Sequence, residues 1–321
     1  MTSTYPAHPE ARNSWIMDRR GPRNAVDPYR PYAFLLEQEC SAERVVVPVA
    51  TVFLTNRECP WRCAMCDLWK NTVAKSVPAG AIPQQIEHAL AALPVARQIK
   101  LYNSGSFFDE RAIPKEDYAA ISRMVGNFDR TIVECHPALV GMSCVSFRDL
   151  IGNRLEVAMG LETVHPEVLD RLNKRMTLDQ FARSSEYLQR NGIDLRVFIL
   201  VQPPFMHPEE ALHWAQRSLD FAFDCGAAVA TLIPTRGGNG AMEALANIGE
   251  FAPPALATVE AAARYGLGLK RGRVFVDTWE LCNRPNACQF CLGEIADRLH
   301  RMNLSQQILP SIECSHCEGK S

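Results

Sequence analysis

No run of 18 apolar residues occurs in this chain of 321 residues, so no segment is expected to cross a bilayer as a helix. Met1 to Pro9 is polar and holds no apolar signal core, and the expected location is the cytoplasm. An excess of either charge is missing too. Lysine plus arginine (34) nearly balances aspartate plus glutamate (36), for a net charge of −2. That removes whole-surface attraction as a route to nucleic acid but leaves a local basic patch open. Arg19, Arg20, Arg23 and Arg30 form one candidate patch, and Lys270, Arg271 and Arg273 another. Ordinary solvated arginines are the plainer reading of each. Solenoid repeats and low-complexity tracts are absent. What remains is a globular balance, 47% hydrophobic and 22% charged, with length for one large barrel plus an appendage or for two ordinary domains.

Cysteine, by contrast, is abundant. Twelve are present, in a chain whose expected compartment does not favour disulfides. Eight fall into two groups, Cys59/Cys63/Cys66 and Cys282/Cys288/Cys291/Cys314/Cys317, and metal binding explains such grouping better than oxidation. Cys40, Cys135, Cys144 and Cys225 are scattered and read as small buried hydrophobes.

Residues 1–40 carry several prolines and arginines and read as an irregular N-terminal arm. An alternation then begins. Val45 to Leu54 is β-branched and apolar, a buried strand candidate. Pro83 to Leu93 reads as a helix, Gln98 to Tyr102 as a strand, Lys115 to Val125 as a helix and Thr131 to Glu134 as a strand. Leu155 to Leu161 is the next strand; Thr177 then caps a helix that Asn191-Gly192 stops. Leu195 to Val201, Ala228 to Pro234 and a short Val274 to Asp277 are strands, with helices at Pro208 to Phe223 and Ala255 to Tyr265 between them. Six β/α units with near-continuous apolar strands predict a parallel sheet covered by helices. A barrel and an open doubly wound sheet both fit. From residue 278 the pattern gives way to a cysteine-rich tail, so the expected division is 1–40 arm, 41–277 barrel and 278–321 metal-binding extension.

The first strand runs into Cys59-Pro-Trp-Arg-Cys63-Ala-Met-Cys66. Three thiolates spaced C-x3-C-x2-C on a loop can converge on one face of a cubane and leave the fourth iron without a protein ligand. That suits a cluster that performs chemistry, because simple electron carriers usually take four cysteines. A structural zinc site would need a fourth ligand; the nearest histidine, His88, lies on a predicted helix, and Asp67 is poorly placed beside Cys66. The spacing after a first strand resembles the signature of the radical S-adenosylmethionine (SAM) enzymes. With it the fold class is expected to be α/β, a partial (β/α)6 TIM-type barrel with a cysteine-rich C-terminal extension and chemistry at the C-terminal strand ends.

The resemblance implies a 4Fe-4S cluster on Cys59, Cys63 and Cys66 whose open iron chelates SAM. One electron, from an external donor, then cleaves SAM to a 5′-deoxyadenosyl radical that abstracts hydrogen from the substrate. It also implies cofactor contacts at the strand ends. Met65 stands before the last cysteine, where its backbone can reach the adenine. Asn103, Ser104, Gly105 and Ser106 take the place of a glycine-rich turn against the methionyl end. Glu134 faces the ribose hydroxyls, while Glu162, Gln202 and Pro234 are further contacts. Asn173-Lys174-Arg175 places positive charge near the SAM carboxylate or a substrate anion.

Thr55-Asn-Arg-Glu-Cys-Pro-Trp-Arg-Cys-Ala-Met-Cys-Asp-Leu-Trp-Lys70 and Tyr102-Asn-Ser-Gly-Ser-Phe-Phe-Asp109 narrow the likeness. With Gly160-Leu-Glu-Thr163, Asn173-Lys174 and Gln202-Pro-Pro-Phe205, they are similar to the radical SAM subunit of archaeosine synthase, a branch related to the elongator catalytic subunit. That branch implies radical cleavage of a lysine-adorned 7-deazaguanine in transfer RNA to leave an amidine, with a partner subunit. Two other outcomes stay open: a radical SAM enzyme for a small metabolite or peptide, with an auxiliary cluster at the tail, and a non-catalytic metal-binding interaction protein.

Cys288-Gln-Phe-Cys291 and Cys314-Ser-His-Cys317 form two C-x2-C knuckles 22 residues apart. Four thiolates in that pattern suit tetrahedral zinc, with an iron–sulfur cluster as the rival. Cys282 is a fifth sulfur and His316 a further ligand candidate.

Overall fold

The computed structural model describes residues 4–279, 281, 288, 290–311 and 314. Its eight strands are β1 (Ala33–Cys40), β2 (Val46–Leu54), β3 (Gln98–Asn103), β4 (Arg130–Glu134), β5 (Arg154–Glu162), β6 (Asp194–Val201), β7 (Val229–Pro234) and β8 (Arg273–Val276). They form one sheet in chain order. β2 to β8 run parallel, and β1 joins antiparallel with Ala33 opposite Phe53 and Cys40 opposite Val46. The helices are α1 (Pro9–Met17), α2 (Ala81–Ala92), α3 (Tyr118–Val125), α4 (Met142–Ile151), α5 (Pro166–Arg171), α6 (Leu178–Arg190), α7 (Ala211–Asp224), α8 (Ala241–Asn247), α9 (Leu256–Leu269) and α10 (Leu292–Ser305).

Strand order decides between the two predicted architectures. A doubly wound sheet reverses its strand order so that helices cover both faces. No reversal occurs here, and right-handed crossovers between successive neighbours put the helices that join them on one face of the sheet. The sheet therefore curls into a half barrel, as expected. Each parallel neighbour is reached through at least one helix. Thr177 caps α6 as predicted, its side chain accepting the Gln180 N–H at 3.1 Å.

The two-residue period of the strands sorts their side chains. Leu155, Val157, Met159 and Leu161 of β5, with Leu195, Val197, Ile199 and Val201 of β6, join the helix-facing core. The concave face is layered. At the strands' N-terminal end, Glu39, Lys100, Glu156 and Arg196 form a buried ion network with Arg130 and Arg273. Arg196 lies 2.5 Å from Glu39 and 2.6 Å from Glu156. Above it Phe53, Tyr102 and Phe198 make an aromatic layer. The mouth lies above that.

Residues 1–40 are more ordered than an irregular arm. They contain α1, entered at Pro9, and the edge strand β1. Tyr5, Trp15 and Ile16 pack with Ala64 and Met65 of the cysteine loop and with Met242 and Leu245 of α8. At the opposite edge α10 covers β8. Asn303 and Gln306 use both ends of their side-chain amides on the free N–H and C=O groups of Val276 and Val274, at 2.7–2.9 Å. No helix among the described residues is long and apolar enough to cross a membrane.

Candidate active site

β2 feeds the cysteine loop through a fixed joint. The Gln85 side chain of α2 accepts the Thr55 N–H and donates to the Thr55 carbonyl, both at 2.8 Å. Asn56 accepts the Ser104 N–H at 3.2 Å, tying the loop after β2 to the loop after β3. Inside the cysteine loop, backbone groups are bound from outside. Asn173 donates to the Arg62 carbonyl at 2.7 Å, and Asn239 to the carbonyls of Ala64 (2.8 Å) and Cys66 (3.1 Å). The Ala64 N–H reaches the Leu172 carbonyl at 3.0 Å. With the backbone so occupied, the three thiols are held for another use.

Cys59, Cys63 and Cys66 are free and half-buried. Burial pushes each thiol up to about 12, and each feels the negative charge of another of the three. Bound metal reverses that cost, because a coordinated thiol is deprotonated outright. Three cysteines on one loop are the donor set that a 4Fe-4S cluster with one open corner takes.

Around this loop the structure places most of the predicted contacts. A Cβ on Gly105 would lie 3.2 Å from the Cys59 Cβ, so this position admits only a glycine without movement. Asn103 is buried with neither end of its side-chain amide bonded, and its N–H donates to Glu134 at 2.9 Å. An unmet buried amide at this strand end suits a bound polar ligand. Ser106 is buried and donates to the Cys135 sulfur at 3.4 Å. Glu134 is half-buried on the concave face; desolvation pushes its carboxyl up to about 8, against the Asn103 N–H and the Lys174 charge. Glu162 has φ +66° at a register shift in β5 and pairs with Lys174 at 2.5 Å. Burial disfavours charge on Lys174, but Glu162 and the thiols of Cys63 and Cys59 outweigh it and its pKa is raised. Lys174 thus puts positive charge beside two of the three thiols.

Other predicted contacts stand differently. Gln202, at φ +53°, donates its amide to the Ala252 carbonyl at 2.8 Å. Pro234 continues the side of Ala230 and Leu232, which join the helix-facing core, while Ile233, like Met65, packs against the cluster of Val168, Leu172 and Leu200. The alternation of β7 displaces Pro234 from the mouth. Asn239 and the Trp61–His136 stack, 3.7 Å between centroids at 10°, were not foreseen. His136 accepts from the Ala138 N–H and meets the Lys174 carbonyl at 3.1 Å; burial, then the Lys174 charge, brings its pKa down to about 3. The one cue was Gly237-Gly-Asn-Gly240, an asparagine set among glycines directly after a strand.

Beside the loop lies a cleft of about 180 Å³ lined by Arg23, Arg57, Glu58, Pro60, Arg62, Ala74 and Arg111. Glu58 takes Arg20 at 2.6 Å, Arg62 at 3.2 Å and Arg23, while Asp109 takes Arg111 at 3.3 Å. Arg20 and Arg23 of the first predicted patch thus fasten the loop. Positive charge remains in surplus.

No family model matches the chain. Its fold is similar to methylornithine synthase PylB, with a TM-score of 0.53 at 11% identity over 70% of this chain and 64% of that one. The radical SAM methyltransferase TsrM from Kitasatospora setae also aligns, at TM-score 0.44 and 18% identity, over 57% of this chain and 35% of that one. The chain thus spans less than two thirds of each of these solved structures. The curled half-barrel sheet is the part of the fold that this likeness to PylB shows. In sequence the chain resembles the archaeosine synthase subunit beta of Methanosarcina acetivorans, 25% identical over 84% of this chain and 82% of the relative. It is also 22% identical to the uncharacterised protein MJ0550 of Methanocaldococcus jannaschii, over 91% of this chain and 86% of that protein.

Proposed function

We propose that the chain is a radical SAM enzyme that acts on a modified nucleoside in transfer RNA. The observation that carries the chemistry is the cysteine triad: three free thiols on a loop whose backbone is pinned by Asn173, Asn239 and Leu172. When bound, a 4Fe-4S cluster and SAM together supply a 5′-deoxyadenosyl radical once an external donor provides an electron. The chain's own residues hold and shape that site. Asn103 offers an unmet amide and Lys174 a cation, while Glu134 offers a carboxyl whose proton is held up to about 8. The aromatic layer below keeps water from the floor of the chamber.

The substrate reading rests on the likeness to archaeosine synthase subunit beta and on the arginine cleft at the mouth, a local basic surface on a chain of net charge −2. A relative named as a subunit also supports a partner chain. The test is anaerobic reconstitution followed by SAM cleavage. Cys63→Ala is expected to abolish 5′-deoxyadenosine formation. Retained cleavage in that variant would sink the mechanism.

A further inference from the structure

The cysteines at the end of the chain take no part in that chemistry, yet their placement is specific. Cys288 and Cys291 stand at the start of α10, with Cys291 as the residue before its first turn. Cys314 lies nine positions beyond Ser305, where α10 ends. Gln306 takes a left-handed conformation (φ 54°) and reverses the chain. The segment then runs back along the helix, with the Pro310 carbonyl accepting from Arg298 at 2.8 Å and the Leu309 carbonyl from Arg264 at 2.6 Å. A helix of 14 residues is about 21 Å long, a span nine extended residues can cover. Cys314 thereby returns to Cys288.

The sulfurs of Cys288, Cys291 and Cys314 all lie within 4.8 Å of one another, and Cys288 and Cys314 are 3.9 Å apart. Thiolates bound to one zinc at about 2.3 Å stand about 3.8 Å from each other in a tetrahedron. Thiolates bound to different irons of a cubane are separated by an additional iron–iron edge.

We propose that Cys288, Cys291 and Cys314 bind a single zinc ion as thiolates, releasing their protons on binding. The ion staples the returning segment to the start of α10 and so fixes the helix that covers β8. Structural zinc takes four ligands; Cys282, Cys317 and His316, which the sequence also offered for this site, lie outside the described residues. The site stands independently of the radical reading.

Zinc, iron and acid-labile sulfide are to be quantified in the reconstituted full-length protein, in a triple variant with Cys59, Cys63 and Cys66 replaced by alanine, and in Cys288→Ser and Cys314→Ser. About one zinc per chain is expected in the first two, with iron lost from the triple variant, and at least tenfold less zinc in each serine variant. Should the serine variants fail to fold, cobalt substitution of the wild-type protein decides, since a tetrahedral thiolate site gives intense visible bands. Iron with sulfide persisting in the triple variant would overturn the proposal in favour of an auxiliary cluster. Iron without sulfide there would make the tail an iron site. Absence of zinc together with absence of cobalt bands would make it a cluster of free thiols. Failure of the radical reading shows separately, as no iron bound to the wild-type loop.

Discussion

At the scale of single residues, the site holds two groups, the half-buried Glu134 and the buried His136, that titrate in opposite senses. Burial raises the Glu134 carboxyl from 4.5 to about 8, so the folded state holds that proton more tightly and stability falls as pH climbs through the interval. His136 is lowered from 6.5 to about 3, so its contribution rises with pH and is complete by about 6.5. Between 6.5 and 8 only the Glu134 effect is left. The cluster-free protein should lose stability across that window in urea titrations, and Glu134→Gln should flatten the profile. An unchanged slope in the variant would assign the loss to another group. Cys59, Cys63, Cys66, Gly105 and Glu134 were nominated from sequence because each follows or ends a predicted strand, and the structure places them at or beyond the ends of β2, β3 and β4. Asn239 and His136 were not. Their roles depend on a backbone carbonyl and an indole contributed by a loop more than 70 residues away, and no local pattern encodes that meeting. Pro234 shows the converse error: it lies at the right level of the barrel on the wrong side of its strand.

Among the elements, α1 contributes more to the site than its peripheral position in sequence implies. Trp15 stacks edge-on against Tyr5 at 5.0 Å, and both pack on the hydrophobic side of the cysteine loop at Ala64 and Met65. Arg12 reaches Asp170, and Asn13 meets Asn173, which in turn holds the Arg62 carbonyl. Trp15→Ala should cost about 3–5 kcal/mol and lower the iron content after reconstitution, measured by thermal unfolding and metal analysis. Loss of stability with full iron loading would show that the helix braces the fold without bracing the loop. The parallel strands β2 to β8 were legible because their helix-facing positions are mostly apolar. β1 was not, for a physical reason. Its inward positions Glu37 and Glu39 serve the ion network, so Ala33–Cys40 reads as mixed and polar beside the apolar run of β2.

For the whole molecule, nearly balanced charge conceals a sorted distribution. Inside the barrel Lys100, Arg130, Arg196 and Arg273 are balanced by Glu39 and Glu156 together with the partly exposed Glu37 and Asp194, while the arginine cleft beside the cysteine loop carries a surplus. Arg57→Gln combined with Arg111→Gln should weaken transfer RNA binding and reduce its salt slope by about 2, one unit for each phosphate contact removed. Cleavage of SAM without substrate should be unaffected. An unaltered salt slope would move the RNA to another face. The open side of the sheet has a different consequence. A half barrel ends in a strand whose unpaired N–H and C=O groups are a template for any extended chain, including a second copy of itself. On β8 those valences belong to Asn303 and Gln306, two amides carried by a helix. Polymerisation is thereby blocked at that edge by side chains that imitate a neighbouring strand at alternate residues. The half barrel can stay open without that edge nucleating a fibre.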